Sequence, residues 1–223
     1  MRYDNIIKGT FLVRQNRFVA HVLLDGKEEF CHVKNTGRLK EIFTEGATVY
    51  LEKSDNPDRK TAYDLVAAEK DGEIINIDSQ APNKAAGEYL RKIFPGCNVK
   101  AECKYGSSRF DFYIEGNGIK AFAEVKGVTL FRDGRALFPD APTERGVKHV
   151  RELTECISKG YEAYILFVIQ SGKDVVFAPN EETHPQFAEA LRAAESAGVH
   201  IMAVNCDVTA DTMTVRGEIP TQI

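Results

Sequence analysis

One segment limits the fold of this chain more than any other: residues 108–127, which read SRFDFYIEGNGIKAFAEVKG. Two runs rich in aromatic and aliphatic residues flank Asn117-Gly118, a dipeptide that favours a tight turn with positive φ at both positions. The pattern therefore predicts an antiparallel β-hairpin. With these two residues as the turn, Tyr113 is expected opposite Phe122, and Gly116 opposite Ile119.

The hairpin register also decides where two acidic residues lie. A loop of two or four residues places Asp111 opposite Glu124, whereas an odd-length loop sends the carboxylates to opposite faces. Directly opposed Cβ atoms are about 4.5 to 5.5 Å apart, so two negative charges there repel each other. Lys126 on the same face, with Arg109 opposite it, offers part of the compensation. A divalent cation would offer more, because Mg²⁺ prefers hard oxygen ligands and keeps several waters.

This geometry would explain why an acid stands between Phe110 and Phe112, since both aromatic rings can enter the core while Asp111 points into a site. An Asp followed by Glu-x-Lys on the next strand is typical of metal-dependent phosphodiesterases. The alternative is that Glu-x-Lys is a surface ion-pair pattern without a catalytic role. The sequence thus gives Asp111, Glu124 and Lys126 as candidate catalytic residues, with Mg²⁺ or Mn²⁺ as the expected cofactor.

Neighbouring segments offer further candidates for the same site. Glu88, on a predicted helix before the hairpin, could reach the metal from the side; the alternative is an exposed helix glutamate. Arg145, Lys148 and His149 open a later helix, where the helix dipole favours phosphate, although a capped and solvated first turn would look the same. Gln170, at the end of a predicted strand, borders the expected site.

The N-terminal part is predicted to be a small β-barrel. Residues 6–33 form three extended segments with a tight turn at DGKE, and ATVYLEKS and TAYDLVAAEK supply two more strands. Between them, TGRLKEIF is expected to form a short helix with Thr36 as its N-cap. Five strands with a helix after the third match an OB-fold, which often binds oligonucleotides. A barrel that binds no ligand would give the same pattern.

From Asp78 onward helices alternate with strands, so the chain is divided into domains 1–80 and 81–223. The order predicted for the second domain is α-β-β-β-α-β, with a Pro/Gly-containing loop after the third strand and a further helix near 184–197. The fold class is therefore α/β (α+β), with an OB-like barrel before a mixed domain.

Composition limits the partners and the compartment. The formal net charge is −4, so attraction to nucleic acid must come from local clusters, and the Lys/Arg-rich segments 1–40 and 91–109 supply two. Each could equally be a solvated face. The five cysteines contain no CxxC pair and are expected to be reduced. Without a signal peptide or a long apolar run, the chain is expected in the cytoplasm and away from membranes.

Six blocks, in order along nearly the whole chain, resemble the sugar fermentation stimulation (SfsA) proteins of bacteria and archaea. These blocks are HVKNTGRLKEIF, NPDRKTAYDLV, IDSQAPN, YGSSRFDF, EVKGVTL and FPDAPTERGVKHVREL. The resemblance implies an OB-like domain followed by a domain similar to PD-(D/E)XK nucleases, with DNA binding and a regulatory link to sugar utilisation.

The resemblance also implies roles for particular residues. The metal-binding acids fall on Asp111 and Glu124, the lysine on Lys126, and the helix glutamate on Glu88. In place of the motif's Pro-Asp, this chain has Phe110-Asp111, a departure that leaves the carboxylate in position.

The leading hypothesis is a DNA-binding protein with a nuclease-like divalent-metal site and little sequence preference. The residues expected to contact nucleic acid are Arg38, Arg59, Lys60, Arg109, Arg145 and Lys148. The rival is a non-catalytic, DNA-binding regulator of sugar metabolism that keeps the nuclease fold only for binding. A sensor of a small molecule or sugar phosphate is a third hypothesis. The sequence does not distinguish DNA from RNA, or one strand from two.

Overall fold

The structure is a computed structural model that describes residues 1–106 and 108–223. Its elements, numbered along the chain, are β1 (Ile6–Arg14), β2 (Val19–Leu24), β3 (Lys27–Val33), β4 (Thr48–Lys53), β5 (Tyr63–Lys70), β6 (Glu73–Asn76), α1 (Ala81–Ile93), β7 (Asn98–Tyr105), β8 (Ser108–Gly116), β9 (Ile119–Val128), β10 (Leu130–Arg132), β11 (Arg135–Phe138), α2 (Glu144–Ser158), β12 (Glu162–Ile169), β13 (Val176–Pro179), α3 (Pro185–Ser196), β14 (His200–Val208) and β15 (Met213–Glu218).

The first five strands form a closed, OB-like barrel, which confirms the predicted architecture. β1 pairs antiparallel with β2 and β4, β2 with β3, and β4 with β5. A parallel contact between β3 and β5 closes the cylinder. Alternate residues of β2, namely Ala20, Val22 and Leu24, are buried in the barrel core, as the period of two in a strand requires. The strand β6 pairs antiparallel with the second half of β5.

The helix predicted within TGRLKEIF is wrong. The segment forms a single turn in which Leu39 O accepts the N–H groups of Ile42 and Phe43. Leu39 has φ +48°, which a right-handed helix does not allow. The Arg14 guanidinium also binds the backbone carbonyl oxygens at 35, 37 and 38, so these oxygens already have a partner. The spacing still identified the buried face correctly, because Leu39 and Ile42 are buried.

The second part of the chain is a six-stranded sheet with the strand order β15-β14-β12-β9-β8-β7. β9, β12 and β14 run parallel, and antiparallel strands complete both edges. Helix α1 packs on one face, while α2 and α3 pack on the other. Gly87 lets α1 approach the sheet, because a Cβ there would lie 3.2 Å from the Phe112 ring. Apart from the short strands β10 and β11 between β9 and α2, this α/β domain has the α-β-β-β-α-β order predicted for it.

The central hairpin has the predicted register. Asn117 and Gly118 have φ of 52° and 83°, and Tyr113 pairs with Phe122. Regular pairing of β8 with β9 runs from the turn to Phe112 and Ala123. Beyond that point a side chain takes the place of a backbone acceptor: Asp111 Oδ2 accepts the N–H of Val125 at 2.7 Å.

The chain also twists at Asp111, which places its aromatic neighbours on opposite faces of the sheet. Phe110 packs in the core beside α2 and α3, whereas Phe112 packs in the core beside α1. On the neighbouring strand β7, Glu102 has φ +57°, which marks an irregularity at the same level. Both rings are buried as predicted, but strict alternation would have put them on one face.

The segment predicted as a loop after β9 contains regular structure. β10 and β11 form a hairpin, and β11 pairs in parallel with the distant strand β13. A loop follows β11, and Thr143 then caps α2 by accepting the N–H of Gly146 at 3.0 Å. Strands of three and four residues are too short to produce a clear sequence pattern.

A buried polar network joins the barrel to the α/β domain. The Gln170 side-chain amide donates to Asn76 Oδ1 at 2.9 Å and to the Asp78 carbonyl at 3.1 Å. Tyr3 donates to the Asp78 carboxylate, which Lys34 approaches to 2.9 Å. Gln170 thus connects the two domains. In the described residues, 1–106 and 108–223, no helix is long and apolar enough to cross a membrane.

Candidate active site

Asp111 is fixed from both the sheet and helix α1. Its Oδ1 accepts the side-chain amide of Asn83 at 2.7 Å, and its Oδ2 accepts the Val125 N–H at 2.7 Å. Both donors orient the carboxylate toward the segment that carries Glu124. Asp111 thus contacts β9 one residue from Glu124, and regular pairing of the two strands ends at Phe112 and Ala123, so the predicted opposition of the two acids stays a prediction.

Glu124 is buried and receives two donors on a single oxygen. Lys126 Nζ lies 2.7 Å from Oε1, and His149 Nδ1, from α2, hydrogen-bonds the same atom. Arg145 Nε donates to His149 Nε2 at 3.4 Å. Because an arginine can only donate, Nε2 is the acceptor and Nδ1 carries the proton. The other Glu124 oxygen, Oε2, is buried with no hydrogen-bond partner among the described residues.

The pKa values of the two carboxyl groups are shifted in opposite directions. Burial, and next the charge of Glu124, raise the pKa of Asp111, while the Val125 N–H and Asn83 oppose the rise. Burial would also raise the pKa of Glu124, but the His149 hydrogen bond and the Lys126 ammonium outweigh it, so that pKa lies below its usual value. At neutral pH Glu124 is thus the firmly ionised member of the pair.

The Glu124 Oε2 atom, which has no hydrogen-bond partner among the described residues, bears on whether the site suits a metal. A buried carboxylate oxygen without a donor is costly in a protein, and a divalent cation beside Asp111 would provide the missing partner. In the described part of the chain, the acids, histidines and cysteines form no metal-binding group of three or more. Two carboxylates still suit Mg²⁺ or Mn²⁺, since such ions keep several waters in their coordination shell.

Glu88 lies elsewhere on α1. Its Oε2 pairs with the N-terminal ammonium of Met1 at 2.9 Å, and its side chain is 56% exposed. Asn83, five positions earlier, is the α1 residue that contacts Asp111. Five residues turn a helix by about 140° beyond one full turn, so the two side chains project from different faces. The structure thus gives Glu88 a partner other than the predicted metal.

A basic depression, defined by Lys104, Ser108, Arg109, Arg145, Lys148 and His149, opens beside the carboxylates with a volume of about 400 Å³. It brings together three of the residues predicted to contact nucleic acid: Arg109, Arg145 and Lys148. His149 links this depression to Glu124. Arg109 pairs with exposed Glu102 at 3.1 Å and does not join Lys126 in compensating the acids.

The three barrel candidates have different surroundings. Arg38 lines a cleft between the two domains, and its guanidinium donates to the Asp140 carbonyl. Arg59 forms a two-point contact with Asp64, with distances of 2.9 and 2.5 Å. Lys60 is exposed on the loop between β4 and β5. Arg38 alone of the three lies near the strand that carries Glu124.

The site includes a residue that sequence reasoning missed, and another in a different role. Asn83 was not singled out, although it stands at the predicted start of α1, where a side chain can project over the sheet. His149 was considered as a phosphate ligand, and it instead contacts Glu124. The spacing of Arg145 and His149, four apart on a helix, indicates that they interact, but no local pattern identifies Glu124 as the partner of His149.

The fold and the site together define a class: a two-domain protein in which an OB-like barrel precedes an α/β domain with paired carboxylates. Residues 12–77 match the model of the SfsA N-terminal OB domain, and residues 80–212 match that of the sugar fermentation stimulation protein RE domain. The chain belongs to the sugar fermentation stimulation protein family. The division into 1–80 and 81–223 stays a prediction.

Individual relatives cover the chain almost completely. The sugar fermentation stimulation protein homolog of Clostridium beijerinckii is 52% identical over 97% of this chain and 97% of its own length. The homolog of Ruminiclostridium cellulolyticum is 51% identical over 100% of both. The solved structure of Pyrococcus furiosus SfsA, described as a complex with Ca²⁺, is 32% identical with a TM-score of 0.89, covering 100% of this chain and 98% of that one.

Proposed function

We propose that this chain is a cytoplasmic DNA-binding protein whose Asp111 and Glu124 hold Mg²⁺ or Mn²⁺ for phosphodiester cleavage. The observation that carries the proposal is the buried Glu124 Oε2, which has no hydrogen-bond partner in the described residues and belongs to a carboxylate whose charge raises the pKa of Asp111. Five free cysteines agree with a reducing compartment.

The complex of Pyrococcus furiosus SfsA with Ca²⁺ supports this proposal. Ca²⁺ and Mg²⁺ are both hard cations that prefer carboxylate oxygens, and that relative shares the fold over nearly its full length. A Ca²⁺ ion bound by a relative favours an ion site in this chain, and the paired carboxylates are the residues that suit it.

Each residue of the site has a role in this chemistry. A divalent ion here would lower the pKa of a bound water and polarise the scissile phosphate. Asn83 and the Val125 N–H orient Asp111, while His149 occupies Glu124 Oε1 and Oε2 has no hydrogen-bond partner among the described residues. Lys126, 2.7 Å from Glu124, supplies a positive charge for the attacking water or the developing negative charge.

DNA binding is proposed to rest on the basic depression and on Arg38. His149 of the depression contacts Glu124, so a phosphate held in the depression would be one side chain away from this carboxylate. Binding through phosphates carries little sequence preference, and it weakens steeply as salt increases.

Calorimetric titration with Mn²⁺ tests the metal site. Glu124→Gln is expected to weaken Mn²⁺ binding by at least roughly 100-fold, and Lys126→Ala to remove DNA cleavage while Mn²⁺ still binds. Glu88→Gln is a matched control, because it removes a carboxylate that pairs with the N-terminus. Equal Mn²⁺ affinity in the wild type and Glu124→Gln would end the proposal.

One observation favours the rival function, a non-catalytic DNA-binding regulator of sugar metabolism. Lys126 and His149 both bind Glu124 Oε1, so the charge of this acid is already compensated without an ion. The rival predicts DNA binding that survives Glu124→Gln and no cleavage of DNA with Mg²⁺ or Mn²⁺. The same titration and cleavage assays therefore separate the two functions.

A further inference from the structure

We propose that the cleft between the barrel and the α/β domain takes a single strand of nucleic acid and leads it to the carboxylate site. The interdomain cleft has a volume of about 640 Å³, and residues of both domains form its walls. This inference rests on the proposed function and deepens it, since it names the form of the substrate.

The barrel wall of the interdomain cleft is strongly cationic. It carries Arg14, Arg17, Arg38 and Lys40, and Asp140 is the one acid among the described residues that line the cleft. Asp140 is engaged locally, because its carbonyl accepts the Arg38 guanidinium and its Oδ2 accepts the Arg38 N–H at 3.4 Å. The side chains of Arg17 and Lys40 are exposed and can meet a phosphate backbone.

The interdomain cleft begins next to the carboxylate site. Its floor includes Gly127 and Thr129, and Gly127 directly follows Lys126 on β9. The floor is closely packed, since a Cβ on Gly127 would lie 2.5 Å from Gln170 Oε1 and 2.7 Å from Pro82 Cγ. A strand that runs along this floor therefore reaches the β9 residue next to Lys126.

The wall on the α/β domain is largely apolar. Leu130, Leu137 and Phe138 line it, and the Phe138 ring is held by Phe167 and Phe187 at centroid distances of 5.6 and 5.1 Å. A cationic groove with an aromatic side chain for the bases, here Phe138, is the combination found in proteins that bind single-stranded nucleic acid.

The dimensions of the interdomain cleft favour one strand over two. Cavities of about 300 to 1,000 Å³ enclose ligands the size of a small molecule, which is the size of one nucleotide unit and far smaller than a duplex. The loop between β1 and β2 supplies Asn16 and Arg17 to the cleft, and OB-folds use this loop to bind oligonucleotides. A nucleotide unit of one strand fits, whereas a duplex would first have to open.

Fluorescence anisotropy on the full chain tests this proposal, with labelled oligonucleotides as single-stranded DNA, single-stranded RNA and blunt duplex DNA. The cleft variant is Arg17→Ala with Lys40→Ala, and neither side chain belongs to the carboxylate site. The matched control is Lys27→Ala with Lys53→Ala, which removes two exposed barrel cations outside the cleft.

We expect at least one of the two single strands to bind at least tenfold more tightly than the duplex. The cleft variant should reduce the salt slope for that strand by about 1.4, because each lost phosphate contact contributes about 0.7. The control variant should bind that strand with an affinity within twofold of the wild type. Equal binding of duplex and single strand, or equal losses in the cleft variant and the control, would overturn the proposal. Mn²⁺ affinity, measured on the same variants, reports separately on the carboxylate site.

Discussion

The carboxylate site and the interdomain cleft both include residues of β9, but titratable side chains are buried in the first and exposed in the second. In the carboxylate site, Glu124 and His149 are buried and contact one another. In the cleft, Arg17 and Lys40 are exposed. Burial fixes the direction of a charged group at a cost in solvation, whereas exposure keeps the charge available to a partner. This contrast is what the proposed function requires, with chemistry in the first region and phosphate binding in the second.

The largest effect is expected where a buried charge would lose its partner. His149→Ala leaves Glu124 Oε1 with Lys126 alone, and we expect the free energy of unfolding to fall by about 3 kcal/mol. Arg109→Ala breaks an ion pair whose side chains are 66% and 61% exposed, so it should cost about 0.5 kcal/mol or less. Urea denaturation measures both. Similar losses would remove the contrast between buried and exposed charge.

A second prediction separates the cation that builds the cleft wall from a cation that only faces it. The Arg14 guanidinium donates to four backbone carbonyls, at residues 17, 35, 37 and 38. A lysine ammonium lacks the planar set of donors that makes these four contacts. Arg14→Lys should lower the free energy of unfolding by about 2 kcal/mol. Arg17→Ala should change it by about 0.5 kcal/mol or less. Equal stability of the two variants, measured by urea denaturation, would argue against a structural role for Arg14.

A third prediction concerns Gly127, where β9 passes from the carboxylate site into the cleft. Its missing Cβ makes room for Gln170 and Pro82, so Gly127→Ala should cost about 1 to 2 kcal/mol of unfolding free energy through overpacking. Gly217→Ala is the control, because a Cβ there would meet nothing within 4 Å. A thermal denaturation midpoint that is unchanged in Gly127→Ala would show that Gln170 and Pro82 leave room for a methyl group at this position.

The smallest effect is a pH dependence inside the carboxylate site. The pKa of Asp111 is raised by burial and by Glu124, so the folded state binds a proton more tightly than the unfolded chain does. Stability from this group is full below the unfolded pKa and is lost as pH rises through the raised folded pKa. In chelator, the wild type should therefore lose stability relative to Asp111→Asn as pH rises from about 4 toward neutrality.

Asp133→Asn is the control for this pH series, because Asp133 lies on an exposed turn. Its stability curve should run parallel to that of the wild type across the same range. If Asp111→Asn also ran parallel to the wild type, the unfavourable placement of the Asp111 charge would be refuted.

Local chemistry made much of the hairpin predictable. The turn dipeptide fixed the register of β8 and β9 as far as Phe112 and Ala123, one residue short of Asp111 and Glu124. Alternation failed at Asp111 itself, where the side chain binds the Val125 N–H and the chain twists. A residue pattern with a period of two cannot reveal a carboxylate that replaces a backbone contact.

The features that sequence reasoning missed depend on residues distant in the chain. Asn83 and Asp111 are 28 positions apart, and His149 and Glu124 are 25 apart. The TGRLKEIF segment has helical spacing, yet Arg14 binds its backbone carbonyls from β1. Propensity is a weak prior that tertiary contacts override.

The proposed chemistry requires Asp111 and Glu124 Oε2 to share one divalent cation, and anomalous diffraction from crystals grown in Mn²⁺ would locate that ion. We expect one strong anomalous peak between these two carboxylates, within about 2.0 to 2.3 Å of the ligating oxygens, and its loss in Glu124→Gln. A site without a peak at saturating Mn²⁺, or a peak that persists in Glu124→Gln, would contradict a shared ion.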